Sequence, residues 1–114
     1  MNKLETGRAG EDEAVNFLKR KRYKILERNF RTKFGEIDII AKKGKEIIFI
    51  EVKTRKTTEF GYPEEAIDKE KQEHIKKVAS YYIQKKKVKN PIAFEVLSVL
   101  IKGEEKEIKI IPLE

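Results

Sequence analysis

Apolar residues in this chain recur with two different periods, and two of the most apolar runs are broken by charge. The runs Ile37-Asp38-Ile39-Ile40-Ala41 and Ile47-Ile48-Phe49-Ile50-Glu51-Val52-Lys53 are rich in β-branched residues and flank Lys43-Gly44, which predicts a hairpin over residues 36–42 and 45–54. A turn centred on Lys43-Gly44 pairs Ala41 with Glu46, Ile39 with Ile48 and Asp38 with Phe49, and so sets Asp38 diagonal to Glu51. Side chains alternate along a strand, so Glu36, Asp38, Ile40, Ile47, Phe49, Glu51 and Lys53 are expected on one face. Ile37, Ile39, Ala41, Ile48, Ile50 and Val52 are expected on the other.

Elsewhere the period lengthens. Ala14, Phe17 and Leu18 form the stripe of a helix over 4–21, and Ile75, Val78, Ala79 and Tyr82 form that of a second helix within 64–87. Strands are expected over 23–30, 92–100 and 107–111, with a loop over 55–63 close to the charged end of the hairpin. A helix between the third and fourth strands calls for a right-handed crossover and a parallel strand pair. The expected fold class is α/β, a central mixed five-stranded sheet flanked by helices, in one domain.

Carboxylates inside apolar strands are costly unless paired or holding a cation. Diagonal neighbours on a hairpin lie roughly 7 to 8 Å apart, near enough for Asp38 and Glu51 to share a divalent ion. Glu11 precedes Ala14 by three residues and faces the sheet from the first helix, a third candidate acid, while Lys71 and Gln72 precede the second helix's stripe by one turn. With no cysteine and the single His74, the ligands must be oxygens, which favours Mg²⁺ or Mn²⁺. Two simpler readings stay open: Glu51 pairs with Lys53 or another cation, and Asp38 caps a strand end. Glu36 either lines the site or turns away from it.

Charge extends the picture. The net charge of +7 is contained in residues 19–33, which hold Lys19, Arg20, Lys21, Arg22, Lys24, Arg28, Arg31 and Lys33 against Glu27 alone. Such asymmetry points to a polyanion, most simply nucleic acid, gripped through its phosphates by Arg20, Arg22, Arg28, Arg31, Lys33 and Arg55. No run approaches the length of a membrane span and no signal peptide is seen, so a cytoplasmic protein without membrane contact is expected.

Asp38 followed by Glu51-Val52-Lys53 on the next strand resembles the signature of the restriction-endonuclease-like PD-(D/E)XK nucleases, with their αβββαβ core. The motifs Gly7-x-x-Gly10-Glu11, Asn29-Phe30-Arg31, Gly35-Glu36-Ile37-Asp38, Glu51-Val52-Lys53-Thr54-Arg55, Phe60-Gly61 with Pro63, and Lys71-Gln72 resemble the YraN-like family of small bacterial proteins. The chain departs from that family at strand four, where Arg-Phe-Asp is replaced by Ala93-Phe94-Glu95. Within the superfamily the arrangement is most similar to Holliday-junction resolvases. The resemblance implies a Mg²⁺- or Mn²⁺-dependent endonuclease acting on DNA rather than RNA, with little sequence specificity, at branched or damaged structures, and as a homodimer. Asp38, Glu51, the Val52 backbone carbonyl and Glu11 would then hold the metal, Lys53 would complete the catalytic set, and Glu36, Lys71 and Gln72 would support it. A nucleic-acid-binding protein that keeps the fold without cutting is the alternative.

Overall fold

In the computed structural model, which describes residues 3–56 and 67–113, the order of elements is α1 (Lys3–Arg20), β1 (Lys24–Thr32), β2 (Gly35–Lys43), β3 (Glu46–Arg55), α2 (Lys69–Lys86), β4 (Ile92–Lys102) and β5 (Glu105–Leu113). The strands form one sheet in the order β1-β2-β3-β4-β5. Only β3 and β4 run parallel, as a crossover through α2 requires. Phe60, Gly61 and Pro63, with most of the loop expected over the charged end of the hairpin, lie outside the described residues.

The two helices lie on opposite faces of the sheet. Ala14, Val15 and Leu18 of α1 pack with Ile39, Ala41, Ile48, Ile50 and Leu97. Ile75, Val78, Ala79 and Tyr82 of α2 pack with Phe30, Ile37, Ile40, Ile47 and Phe49, where Tyr82 meets Phe30 and Phe49 edge-on at 5.2 and 5.8 Å. Asp68 caps α2, its Oδ1 accepting from the Lys71 amide at 2.9 Å.

The hairpin register differs from expectation by two residues. Lys43 pairs with Glu46, Ala41 with Ile48 and Ile39 with Ile50, so the turn is Gly44-Lys45. Gly44 has φ +62°, the left-handed conformation that a tight hairpin turn requires and glycine adopts without strain. A two-residue shift preserves the faces but continues toward Asp38 directly across from Glu51, not diagonal to it. Ile37 is the one misplaced core residue: it packs against α2 with Ile40, not against α1 with Ile39. Alternation therefore breaks at Asp38. The break continues across the sheet, because Arg28 pairs with Ile39 and Phe30 with Ile37, while Asn29 between them adopts φ +54°.

This irregularity creates a fork. The β2–β3 ladder ends at Ile39 and Ile50; beyond it β2 continues alongside β1 to Gly35, and β3 alongside β4 to Arg55. Asp38 stands where the strands part.

Candidate acidic centre at the sheet fork

At the fork the amide of Val52 has lost its ladder partner on β2, and the Asp38 carboxylate takes its place: Oδ2 accepts from the Val52 N–H at 2.8 Å. A backbone group left unpaired there would be expensive, so this bond fixes the Asp38 rotamer. The Glu51 side chain comes up from the adjoining strand and is within hydrogen-bonding contact of Asp38. Burial, then the nearby Glu51 charge, push the Asp38 carboxyl up to about 7, against the relief given by the Val52 bond.

Two lysines address the same acid. Lys71 Nζ of α2 lies 3.5 Å from Glu51 Oε1 and Lys53 Nζ lies 3.9 Å from it. Glu51 is buried, and the two ammonium groups offset its desolvation. Burial and then the neighbouring Lys71 hold Lys53 below the usual lysine range. For Lys71, burial pulls down, but hydrogen bonding with Lys53 and the Glu51 charge outweigh it, and the net shift is upward.

Glu11 faces the sheet, as the helical period requires, but leans toward β1. Its Oε1 accepts from Arg28 at 3.2 Å and from the Asn29 side-chain amide at 3.0 Å. Its charge is still felt at Asp38. Among the described residues no group of three metal-ligating side chains stands ready to hold an ion. The assembled acids are the pair Asp38 and Glu51, with Glu11 held to one side.

Glu11 reaches this position because α1 approaches β3 unusually closely at Gly10. A Cβ added there would overlap Thr54 Oγ1 and come within 2.9 Å of Thr54 Cβ. Gly10→Ala is expected to lower stability by about 1–3 kcal/mol through overpacking, read as a fall in the thermal midpoint. The double variant Gly10→Ala, Thr54→Ala should recover only part of that loss, because it removes the Oγ1 overlap but keeps the Cβ of residue 54 at 2.9 Å.

The remaining expected residues are dispersed. Glu36 pairs with Arg31 across the first hairpin at 2.8 Å and lines the cavity at the mouth of the fork. Gln72 is half-buried on the first turn of α2, where its amide donates to the Asp68 carbonyl at 3.0 Å. The Val52 contribution visible at the centre is its amide N–H. Arg20 and Arg22 are exposed where α1 meets β1, whereas Arg31 and Lys33 lie at the far end of the nine-residue β1, roughly 25–30 Å away at the usual strand rise. Arg28 and Arg31 are already paired with carboxylates, and Arg55 ends β3 beside Leu100. Arg20 with Arg22 and Arg31 with Lys33 thus stand at opposite ends of β1, and with Arg28 midway along the strand and Arg55 on β3 the six basic residues are dispersed. Glu95, on the strand where the family pattern changes, accepts from the Tyr23 hydroxyl at 2.9 Å, away from the fork. Burial raises the Tyr23 phenol, with Glu95 adding to the effect.

Composition gave no indication of Asn29, whose left-handed backbone turns its amide onto Glu11. An asparagine between two alternating strand residues is the local signal, since it tolerates that conformation better than its neighbours. Phe34 was also missed; together with His74, an exposed residue of α2, it lines a cavity of about 360 Å³ at the mouth of the fork.

A mixed five-stranded sheet that parts over a buried acidic pair, with two lysines on one of the acids, defines an α/β protein with a preorganised polar centre. The comparisons assign its lineage: residues 10–99 match the model of Uncharacterised protein family UPF0102, and the chain belongs to that family. It is 53% identical over 97% of both chains to a UPF0102 protein of Caldicellulosiruptor saccharolyticus. It is 56% identical to one of Fusobacterium nucleatum, over 88% of this chain and 85% of the other. A UPF0102 protein of Dictyoglomus thermophilum is 49% identical over 89% and 86%. Among the described residues no helix is long and apolar enough to cross a membrane.

Proposed function

We propose that the fork is the active centre of a divalent-metal-dependent endonuclease that hydrolyses phosphodiester bonds in DNA. The observation that carries this reading is the Asp38–Glu51 pair, a half-buried and a buried carboxyl in contact, with both lysines on Glu51 and the Asp38 carboxyl still pushed up to about 7. The donor set fits a hard cation: all its side-chain ligands are oxygens, and the proton that the raised Asp38 carboxyl holds is displaceable. Asp38 and Glu51 would hold Mg²⁺ or Mn²⁺, with the Val52 carbonyl completing the set and Glu11 joining directly or through water once released from Arg28 and Asn29. When bound, the ion would polarise the scissile phosphate and acidify an attacking water.

Within the chain, the Val52 N–H keeps Asp38 in its rotamer. Lys53 shares the face of Glu51 because one residue separates them, and its amine, 3.9 Å from Glu51 Oε1, would offset the negative charge gained by a phosphate oxygen or take the proton of an attacking water. Lys71 positions Glu51 from α2. Lys33 and Arg55 would meet phosphates near the centre. Such contacts hold the backbone without reading base sequence and weaken with salt.

Labelled duplex, branched and single-stranded DNA incubated with Mg²⁺ or Mn²⁺ tests the reading. Cleavage should occur and disappear in Asp38→Ala and Lys53→Ala. The Arg28 and Asn29 bonds to Glu11 favour a second reading, a nucleic-acid-binding protein that does not cut. It predicts salt-sensitive binding to DNA or RNA and equal residual cleavage in wild type and both variants.

A further inference from the structure

The cavity beside the acidic pair has features that hydrolysis alone does not require. It lies in the mouth of the fork, between the tip of the β1–β2 hairpin and the first turns of α2, and Phe34, Glu36, Glu51, Glu70, His74 and Ile75 are among its lining residues. Phe34 is 45% exposed, whereas Phe30, Phe49 and Tyr82 are buried in the α2 face. A hairpin turn has no conformational need for a phenylalanine. Yet the tip is held firmly: Thr32 Oγ1 accepts from the Phe34 amide at 3.0 Å and donates to the Gly35 carbonyl at 3.2 Å. The ring is thus presented on a fixed support, with the Lys33 ammonium 5.3 Å from its centroid.

Cavity chemistry selects the occupant. Glu36, Glu51, Asp68 and Glu70 outnumber Lys71, the lysine in the lining, so the walls are net acidic and a phosphate is disfavoured there, while a neutral ring bearing amino hydrogens finds acceptors. Phe34 and Ile75 supply the apolar contact. A volume of 360 Å³ is at the small end for ligand cavities, large enough for one heterocycle and too small for a base pair.

We propose that this cavity receives a single unpaired nucleobase, stacked on Phe34, so that the protein engages strands that are single or splayed at the site in preference to continuous duplex. This inference rests on the nucleic-acid reading of the neighbouring centre. The stacked base sets the register, its flanking phosphate lies toward Lys33, and the next phosphodiester is delivered to the acidic pair. Aromatic stacking of this kind tolerates any base, in keeping with phosphate contacts that read no sequence.

The chain contains no tryptophan, so Phe34→Trp introduces a single indole reporter at the cavity. In metal-free buffer with a chelator, this variant is titrated with a single-stranded DNA oligonucleotide, the matching duplex, and an abasic strand of equal length. Quenching is expected with the single strand and not with the other two. Phe34→Ala should bind the single strand roughly 5- to 150-fold more weakly, with its abasic-strand affinity unchanged, and Phe34→Tyr should restore binding. Unchanged abasic binding also shows that Phe34→Ala remains folded. Equal quenching by the abasic strand, or undiminished single-strand affinity in Phe34→Ala, overturns the base pocket while leaving the endonuclease proposal standing. Failure of the wild type to bind any of the three polymers overturns both.

Discussion

Asp38→Asn is expected to make the metal-free protein more stable than wild type at pH 8 and equal to it near pH 4. Burial and the adjoining Glu51 raise the Asp38 carboxyl from 3.8 to about 7, so the folded chain holds a proton there more tightly than the unfolded chain. The sign follows directly: stability is greatest below the unfolded value, falls as pH rises between about 4 and 7, and is level above. Integrated over that window the loss is at most about 4 kcal/mol, distributed over the carboxyl pair. Asparagine removes the titration while its carbonyl can still accept from the Val52 amide and its amino group can donate to Glu51. Thermal unfolding in chelator at pH 4, 6 and 8 should show the variant's advantage opening with pH, to on the order of 10 °C at pH 8. Mn²⁺ should restore the wild type at pH 8 and leave Asp38→Asn unmoved. A variant no more stable than wild type at pH 8 would mean that the pair is not under electrostatic strain.

The same irregularity that loads Asp38 explains why the site was only partly legible in the sequence. Glu51 and Lys53 were readable because a strand's two-residue period settles their common face whatever the register. Glu11 was readable because the helical period aims it at the sheet. The fold class followed from the order of apolar periods, including the parallel β3–β4 pair that α2 makes necessary. What failed was local: Lys43-Gly44 and Gly44-Lys45 are both plausible two-residue turns, and only packing of Ile39 against Ile50 distinguishes them. Ile37 was misplaced because alternation was assumed to run through Asp38, whereas strands that part there are no longer bound to a common pleat. Arg28 was read as a phosphate contact, and charge alone gave no sign that its partners would be Glu11 and Asp12 of α1. Family motifs had already marked Asn29, without disclosing its purpose. Its left-handed turn, its bond to Glu11 and the break at Asp38 belong to one event, the parting of the sheet.

That parting also makes the two lysines on Glu51 unequal. Lys53 belongs to the strand bearing Glu51 and moves with it; Lys71 arrives from α2 and is the closer cation, at 3.5 Å against 3.9 Å. A divalent ion bound by Glu51 has to compete with the Lys71 ammonium for Oε1. Lys71→Met is therefore expected to tighten Mn²⁺ binding several-fold while lowering turnover only modestly, because Lys53 still balances the acid. Lys53→Met should leave Mn²⁺ affinity at or above that of wild type and slow DNA cleavage by about 100- to 10,000-fold, the range for losing a group that stabilises developing charge or moves a proton. The double variant removes both ammonium groups from a buried carboxylate, so its loss of stability in chelator should exceed the sum of the single losses, and Mn²⁺ should reverse that excess. Isothermal titration with Mn²⁺, single-turnover cleavage and thermal unfolding, carried out on the four proteins, read these terms separately. Near-wild-type cleavage by Lys53→Met would remove the lysine from the chemistry. Weakened Mn²⁺ binding in Lys71→Met would show that the ammonium and the ion do not contend for the same oxygen, and the acidic pair would then have to be read as a structural support of the fork.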